Sequence, residues 1–413
     1  MNDSSANSLG KSWRFFLCLA LLAGAALRLS FPGDIEYKGD ERYMFEAAQS
    51  IDRYGVWPHL GMISGVGVAN PGLSVWVFGV LYQLIHPVTP PDLSRGVEIL
   101  NIAALLLLAF FSLRIIQEAE RPAWLWATVL AAVNPFAVLF HRKIWAQDTL
   151  PLFCVLFWIA WHYRGKRLGA FGWGLIGICL GQIHMSGFFL AGGVFLWTVY
   201  RERRLQWVSW LAGSLAGAVP LLPWLQYMAA KPRGGFDWTS LKWILYPKYW
   251  FYWVTDSLGM GLNYSLKTHE FMDLMRYPLI GGVGTYLVGI LHVLVIAIGI
   301  LIVLSAKKGG RLSWGMGDST DTGMALASVF VVAGILITLS CAQVMRHYLI
   351  VTFPLEWVWL SRLGLLDRRW GQRYLLAIWV TQLVTSICFL TYIHVNHGDP
   401  LGDYGVTYDF QGK

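Results

Sequence analysis

Apolar runs of about 20 residues recur along the whole of this 413-residue chain, each long enough to cross roughly 30 Å of hydrocarbon. Lipid offers no hydrogen bonds to the backbone, so such runs must be helices and not open sheet. The first run, Phe15 to Leu29, has a basic start but no small-residue cleavage site behind it, and we expect a retained helix. Only 14% of the residues are charged, which excludes an ordinary soluble domain. The sequence predicts an all-α, multi-pass membrane protein.

Windowed hydropathy predicts about eleven spans in a single transmembrane domain, 1–413. They lie near 13–31, 96–117, 123–140, 149–163, 169–184, 187–200, 207–228, 279–305, 323–341, 348–361 and 374–394. Short basic clusters separate several of them, at 163–167, 201–204, 307–311 and 367–373. Excess Lys and Arg marks cytoplasmic loops, so the N-terminus is placed inside. The same clusters account for the net charge of +8 without a nucleic-acid partner.

This orientation predicts six segments on the outer face of the cell (inner) membrane. They are a first loop at 32–95, short segments at 141–148, 184–186 and 342–347, an aromatic-rich loop at 229–278 and a C-terminal tail at 394–413. The apolar stretch 70–88 within the first loop is short and is closed by prolines. If it spanned, the later basic clusters would change sides. We therefore expect it to lie in the outer interface or to re-enter from it. The dense Trp and Tyr of the loop at 229–278 suit the headgroup belt.

The stretch "YKGDERYMFEAAQSIDRYGVWP", residues 37–58, follows the first span directly. Asp40 is expected to cap a helix, Glu41 suits its first turn, and Gly55 is placed to end it. The pattern predicts an apolar stripe of Tyr43, Ala47, Ile51 and Tyr54. A carboxylate anchored at a helix start is also well placed for chemistry, so capping and catalysis are compatible for Asp40.

Asp148, in "FHRKIWAQD", is either the N-cap of the fourth span or a functional acid. Arg142 and Lys143, in the same stretch, are interfacial anchors or site cations. Arg346 begins a span on the outer side, against the usual charge bias, and this favours a function.

Polar residues close to or within apolar runs need partners. His184 lies at a predicted helix end and is more typical of a satisfied polar residue than of a ligand. Glu356 lies inside the tenth span, where a carboxylate needs a partner or a proton. The five cysteines lie in or beside apolar runs and are expected to be small buried hydrophobes.

Several motifs together resemble the GT-C superfamily of membrane glycosyltransferases. They are "GDERYMFEAAQSIDRYG", the apolar "NPGLSVWVFGVLYQLI", Arg95 at the entry to the second span, and "NPFAVLFHRKIWAQD". The branch most similar holds the protein O-mannosyltransferases and the bacterial transferase that adds aminoarabinose to lipid A. The similarity is best over 13–165 and looser over the remaining spans, including "RHYLIVTFPLEW".

The resemblance implies a GT-C-type helical bundle, amphipathic juxtamembrane helices in the first loop, and sugar donors carried on polyprenyl phosphate. It makes Asp40 the catalytic base, with Glu41 and Asp148 at the other acidic positions. In the reaction, Glu41 and Asp148 would orient Asp40 or the acceptor, or hold a divalent metal cation if one is used. Arg95 matches the arginine near the end of the first loop. Compared with that family, the chain is expected to lack a large soluble C-terminal domain. It also departs in having "NPG" where many relatives have a lysine-containing "KPP".

Because that lysine is missing, another cation must bind the donor phosphate. Arg346 is the first choice, since the arginine fork suits phosphate oxygens. The other substrate-binding candidates are Arg95, His184, Lys143, Tyr43 and His347.

The sequence thus predicts an inverting glycosyltransferase that moves a sugar from a polyprenyl-phosphate donor to a hydroxyl of a glycolipid, glycan or protein. The predicted site lies on the periplasmic or extracellular side. The alternative is a transporter or flippase for an envelope lipid or polar solute, in which Glu356 and the cationic helix ends would line a pathway. A non-catalytic scaffold would leave the charged loops unexplained.

Overall fold

The structure is a computed structural model that describes residues 10–65, 67–202, 205–231, 238–308, 316 and 319–411. The parts of the predicted loops and basic clusters at 203–204, 232–237 and 309–311 lie outside these residues. The described residues form eighteen α-helices: α1 (Lys11–Leu29), α2 (Gly39–Tyr54), α3 (Leu73–Ile85), α4 (Pro90–Arg114), α5 (Arg121–Val133), α6 (Pro135–Phe140), α7 (Leu150–His162), α8 (Arg167–Ile183), α9 (Ser186–Arg201), α10 (Trp207–Ala218), α11 (Leu222–Ala230), α12 (Lys248–Ser257), α13 (Thr268–Arg276), α14 (Leu287–Lys308), α15 (Asp321–Ala327), α16 (Gly334–Leu339), α17 (Leu355–Leu365) and α18 (Gly371–Asn396).

Strands are confined, in the described residues, to three antiparallel two-stranded hairpins. The hairpins are β1 (Leu60–Ile63) with β2 (Ala69–Pro71), β3 (Leu279–Ile280) with β4 (Val283–Gly284), and β5 (Gly398–Asp399) with β6 (Gly405–Val406). Short 3-10 helices connect several α-helices, and two of them, Ala146–Thr149 and Arg346–Thr352, belong to the site described below.

Six helical stretches in the described part of the chain are long and apolar enough to cross a membrane. They are Lys11–Leu29, Pro90–Arg114, Trp207–Ala230, Leu287–Lys307, Asp321–Leu339 and Gly371–Asn396. Each coincides with a predicted span, and the chain is an all-α, multi-pass membrane protein. The other predicted spans correspond to shorter helices, and their total of eleven stays a prediction.

Two predicted spans are interrupted by proline. The span at 123–140 is divided into α5 and α6 at Asn134, because Pro135 has no N–H with which to continue the hydrogen-bond ladder of α5. The side chain of Asn134 then caps α6 by accepting from the N–H of Ala137 at 3.1 Å. The span at 348–361 begins as the 3-10 helix Arg346–Thr352 and becomes α17 only after Pro354.

The predicted span at 279–305 starts too early. Residues 279–284 form the β3–β4 hairpin, and its turn places Gly281 and Gly282 at φ of 59° and 82°. These left-handed values suit glycine and are incompatible with a continuous helix. The helix therefore begins at Leu287.

The first loop, 32–95, starts and ends at the same end of the helical bundle. Near the start of α4, Nη1 of Arg95 donates to the carbonyl oxygen of Leu29, the last residue of α1, at 3.0 Å. Between these points, α3 has 13 residues, which is about 20 Å of helix and too short to cross about 30 Å of hydrocarbon. Segment 32–95 therefore makes no net crossing, which is the arrangement expected for 70–88.

Helix α2 ends at Gly55, as predicted, and this residue has φ of 66°. The side of α2 that packs against the protein carries Glu41, Met44, Phe45, Ala48 and Ile51. The predicted apolar stripe is wrong at Tyr43 and Tyr54, which are exposed. The buried side of α2 includes Glu41, so the side that packs against the protein is a different one from the predicted stripe.

Candidate active site

The chain leaves α1 as an extended segment, residues 34–37, that pairs with the C-terminal tail. Glu36 and Thr407 form an antiparallel bridge, and the N–H of Tyr408 donates to the carbonyl oxygen of Ile35 at 3.2 Å. The tail thereby covers the segment, and Glu36 is only 1% exposed. A carboxylate so completely removed from water requires a close cation.

Two lysines supply positive charge to Glu36. Nζ of Lys143, from the loop after α6, lies 2.5 Å from Oε2 of Glu36, and Nζ of Lys38 lies 2.8 Å from Oε1. Lys38 is half-exposed and also pairs with Asp403 of the tail at 3.3 Å. Lys143 is buried, and so is its neighbour Arg142, so of the two interpretations of these residues the one as headgroup anchors is wrong.

Glu41 is the third residue of α2 and caps that helix. Its Oε2 accepts a hydrogen bond from the backbone N–H of Lys38 at 2.9 Å. Glu41 is completely buried, and burial raises its pKa to about 7; the charge of Glu36 adds to this rise and that of Lys143 opposes it. The helix begins at Gly39, so Asp40 lies inside the first turn and the prediction that it is the N-cap is wrong.

Asp148 lies in the 3-10 helix Ala146–Thr149, immediately before α7. Its backbone carbonyl accepts from Nδ2 of Asn101 at 2.8 Å, and its carboxylate is completely buried without a hydrogen-bond partner among the described residues. Burial raises the pKa of Asp148 well above its usual value, although the charge of Lys143 acts in the opposite direction. The N-cap of α7 is Thr149, so the capping interpretation of Asp148 is wrong.

Glu36, Glu41 and Asp148 thus interact with one ammonium group, that of Lys143, and we call these four residues the acid cluster. Burial alone would lower the pKa of Lys143, but the charges of the three carboxyl groups raise it above its usual value. The acid cluster joins segments that are remote in sequence: the exit of α1, the first turn of α2 and the loop between α6 and α7.

Asp40 lies on the same turn of α2 as Glu41 but outside the acid cluster. It is half-buried, and its carboxylate has no hydrogen bond or ion pair with any residue that the structure describes. A carboxylate that is accessible and unpaired can accept a proton from a bound hydroxyl, whereas one held in an ion pair cannot do so readily. The two neighbouring acids of α2 therefore differ: Asp40 is unpaired among the described residues, whereas Glu41 is buried.

Arg95 lies outside the acid cluster and contacts Glu98 and Leu29 instead. Its Nη1 lies 3.6 Å from Oε2 of the buried Glu98, in addition to its bond to the end of α1. Arg142 lies on the other side of Glu98, with Nε 4.0 Å from Oε1, and donates to the carbonyl oxygens of Leu27 and Phe31. These two arginines fix the end of α1 against α4 and α6. One edge of Arg95 stays exposed and lines a surface pocket with His86.

Arg346 begins the 3-10 helix before α17 and is paired with Asp256, the penultimate residue of α12. Nη1 of Arg346 donates to Oδ1 of Asp256 and, at 2.9 Å, to Oγ1 of Thr255. The guanidinium also lies 4.6 Å from the ring centre of Tyr252. Helix α12 belongs to the aromatic-rich loop predicted for the headgroup belt, but Trp253 is buried and packs inside the protein, so the prediction is wrong at this residue.

His347 and His184 form an aromatic and polar group next to the acid cluster. Nδ1 of His347 and the hydroxyl of Tyr264 lie 2.8 Å apart, and the rings of the two histidines are separated by 5.8 Å. His184 ends α8 and is hydrogen-bonded to the serine two residues further along at 2.7 Å. Trp145 links this group to the acid cluster, because its ring lies 5.6 Å from that of His347 and 4.1 Å from Nζ of Lys143.

Three of the residues that build the site were not predicted as site residues, namely Glu36, Asp256 and Tyr264. Glu36 was one of several acids in the first loop, and only its pairing with the tail distinguishes it. Asp256 carried a usable signal, since it is the one acid within the aromatic stretch 243–257. In contrast, the predicted substrate-binding residue Tyr43 lies on an exposed side of α2.

The acid cluster does not fit a divalent metal ion. Such an ion needs oxygen ligands at about 2.0–2.6 Å, and the ammonium of Lys143 already lies 2.5 Å from Oε2 of Glu36. In the described residues, those of the acid cluster included, no group of three His, Cys, Asp or Glu side chains is arranged to hold a metal.

The fold and the site define a multi-pass helical membrane protein with a buried acid cluster at one end of its bundle. No protein-family model matches the chain, and no curated protein matches it. Among solved structures it is similar to ArnT from Cupriavidus metallidurans bound to undecaprenyl phosphate, with 14% identity, 94% of this chain and 77% of that chain covered, and a TM-score of 0.49.

It is also similar to the oligosaccharyltransferase of Archaeoglobus fulgidus in the apo form, with 13% identity and a TM-score of 0.49. That match covers 91% of this chain and 56% of the other, so this chain spans little more than half the length of the archaeal protein.

Proposed function

We propose that this protein is a membrane glycosyltransferase that transfers a sugar from a polyprenyl-phosphate donor to a hydroxyl of an envelope glycolipid, glycan or protein. The observation that carries the proposal is the contrast at the start of α2. Asp40 is half-buried and unpaired within the described residues, while the neighbouring Glu41 is buried in the acid cluster. The resemblance of 37–58 and of "FHRKIWAQD" to GT-C motifs supports the same activity.

In this reaction Asp40 is the general base. The acceptor oxygen attacks the anomeric carbon as Asp40 takes the proton of the hydroxyl. The bond between the anomeric carbon and the phosphate oxygen breaks on the opposite face, and its electrons leave with the polyprenyl phosphate. One displacement of this kind inverts the anomeric configuration.

The leaving phosphate gains negative charge and needs a cation that is already in place. Arg346 is suited to this role because its described hydrogen bonds all use Nη1, so Nε and Nη2 remain for phosphate oxygens. Asp256 holds the fork in one orientation, and the ring of Tyr252 supports it from one side. His347 adjoins Arg346 in sequence and has a hydroxyl partner in Tyr264.

The acid cluster positions Asp40 without taking part in the bond changes. Glu41 caps the helix on which Asp40 lies, and its charge interacts with those of Lys143 and Asp148. This cap fixes the first turn of α2, which carries Asp40. Catalysis by proximity requires the base to stay within hydrogen-bond reach of the acceptor.

The test is to incubate the purified protein in liposomes with polyprenyl phosphate carrying a radiolabelled sugar and with an extract of envelope acceptors. Transfer of label with release of polyprenyl phosphate is expected, and Asp40→Asn should abolish it. A transporter would move the donor across the bilayer without consuming it. Donor that stays intact in the presence of all acceptors would therefore overturn the proposal.

A further inference from the structure

Five rings from four separate segments of the chain meet next to the acid cluster. The ring centre of His347 lies 5.6 Å from that of Trp145, 5.8 Å from those of Tyr264 and His184, and 4.8 Å from that of Tyr348. We call these five residues the histidine group, and each of them is partly exposed. Small-molecule sites typically combine aromatic walls with a few polar groups in fixed orientations.

The hydrogen bonds of the two histidines determine which ring nitrogen carries the proton. Nδ1 of His184 accepts from the backbone N–H of Ser186 at 3.4 Å, and a backbone N–H can only donate. Nδ1 of His347 lies 2.8 Å from the hydroxyl of Tyr264, and this is the one hydrogen bond that the described residues offer to that hydroxyl, so the phenol donates. Both neutral rings therefore carry their proton on Nε2, and neither Nε2 has a hydrogen-bond partner among the described residues.

Both imidazoles are neutral at physiological pH. Burial lowers the pKa of His184 to about 4 and that of His347 well below its usual value, and the charge of Lys143 lowers the latter further. A neutral N–H donor suits an uncharged oxygen such as a hydroxyl. A phosphate, in contrast, binds better to the charged fork of an arginine.

The histidine group lies between the two ends of the proposed reaction. Arg346, which is proposed to bind the donor phosphate, directly precedes His347 in the chain. At the other end, the ring centre of Trp145 lies 4.1 Å from Nζ of Lys143, a member of the acid cluster that supports Asp40. In a displacement at the anomeric carbon, the sugar lies between the leaving phosphate and the acceptor hydroxyl that meets the base. The histidine group is therefore placed where the sugar of the donor has to lie.

We propose that the histidine group recognises the sugar of the donor. In this site Nε2–H of His184 and of His347 donates to hydroxyl or ring oxygens of the sugar, and the aromatic rings pack against its C–H groups. The inference rests on the proposed function, because the sugar is the one that the proposed donor carries. It separates recognition of the sugar from recognition of the phosphate, which stays with Arg346.

The experiment uses two substitutions that distinguish the ring nitrogens. Asparagine places its amide close to the position of Nδ1 and has no atom at that of Nε2, whereas the longer glutamine places an N–H donor close to Nε2. Binding to the full-length protein in detergent is measured by microscale thermophoresis without acceptor. The ligands are bare polyprenyl phosphate and polyprenyl phosphate carrying mannose or aminoarabinose.

The wild type should bind at least one of the two sugar-bearing lipids more tightly than the bare lipid. His347→Asn and His184→Asn should each weaken binding of that sugar-bearing lipid by about fivefold, the effect of one lost hydrogen bond, and leave binding of the bare lipid unchanged. His347→Gln should stay within about twofold of the wild type, because it keeps a donor close to Nε2. The control His269→Asn changes an exposed histidine and should alter neither affinity.

An equal loss of affinity for both kinds of lipid in the asparagine variants would overturn the proposal, as would a wild type that does not distinguish the lipids. Tyr264→Phe keeps both histidines and removes the hydroxyl that sets the proton position of His347. It should weaken binding of the sugar-bearing lipid alone, and this result decides the question if the histidine variants do not fold. Sugar transfer is measured separately. Selective loss of sugar-lipid binding, with no transfer by the wild type, would reject the proposed function and leave the sugar site standing.

Discussion

Nη1 of Arg346 is bonded to Oδ1 of Asp256, and both side chains are almost completely buried. The cation predicted to bind the donor phosphate therefore has a carboxylate partner of its own, on a helix from the aromatic-rich loop. Burial raises the pKa of Asp256 to about 7, while the charge of Arg346 opposes this rise. The two members of the pair consequently respond differently to loss of the partner.

Asp256→Asn should cost about 3 kcal/mol in the free energy of unfolding, because it leaves the arginine charge buried and unpaired. Arg346→Met should cost less, since Asp256 without its cation can take up a proton. The cost of Arg346→Met should be larger at pH 8 than at pH 6, because protonation of Asp256 is harder at pH 8. Denaturant unfolding in detergent measures these values, with Arg276→Met, an exposed arginine, as the control. Equal costs for the two variants at both pH values would contradict the assignment.

Arg346→Ala should also raise KM for the polyprenyl-phosphate donor by about tenfold or more, since a charge-assisted hydrogen bond to phosphate is lost. Initial rates at varied donor concentration measure the effect. Arg95→Ala is the comparison, because Arg95 is occupied by the end of α1 and by Glu98. A larger change in KM for Arg95→Ala would transfer the phosphate-binding role to Arg95.

Asp40→Asn should lower kcat for sugar transfer by a factor of about 10² to 10⁴, the range that a general base contributes. Its thermal stability should stay close to that of the wild type, because the carboxylate is half-buried and makes no ion pair with the described residues. Asp52→Asn changes the charge of the same helix at an exposed position and should affect neither quantity. Wild-type turnover in Asp40→Asn would remove Asp40 from the reaction.

The pKa of Glu41 predicts how stability changes with pH. The pKa of Glu41 is 4.5 in the unfolded chain and about 7 in the folded protein. Between pH 4.5 and about pH 7, Glu41 is therefore largely protonated in the folded protein and largely ionised in the unfolded chain. The free energy of unfolding should therefore fall as pH rises from about 4.5 to about 7, by up to about 3 kcal/mol from this group. Asp256 acts in the same direction, so the informative quantity is the difference between the wild type and Glu41→Gln. Parallel pH profiles for the two proteins would show that Glu41 titrates normally.

Local patterns in the sequence were enough to predict many of the helices. The apolar runs predicted α1 and α18 to within two or three residues, and Gly55 predicted the end of α2. These features depend on hydropathy and on the backbone preferences of single residues, which neighbouring positions determine. The resemblance of two short motifs also singled out Glu41 and Asp148, and their roles stay predictions.

The pairing of charges could not be predicted, because it is decided by contacts between distant segments. The sequence left Lys143 open between a surface anchor and a site cation, and its burial against Glu36, which pairs with the C-terminal tail, excludes the surface anchor. Arg346 looked free because its partner Asp256 lies 90 positions earlier in the chain. A sequence pattern shows which residues are charged, whereas burial decides which charges must find a partner.

The C-terminal tail should be needed for activity, because it holds the segment that carries Glu36. The buried hydroxyl of Tyr404 donates to the carbonyl oxygen of Asp34, and Tyr404→Phe leaves that carbonyl without its partner. This change should cost about 1–2 kcal/mol in the free energy of unfolding and lower kcat for transfer severalfold as Glu36 loosens. Asp403→Asn removes only an exposed ion pair with Lys38, so it should cost less than about 1 kcal/mol and leave kcat unchanged. Unfolding and transfer kinetics of both variants provide the measurement. If Tyr404→Phe lost stability but kept full kcat, the tail would be a structural cover with no influence on the acid cluster.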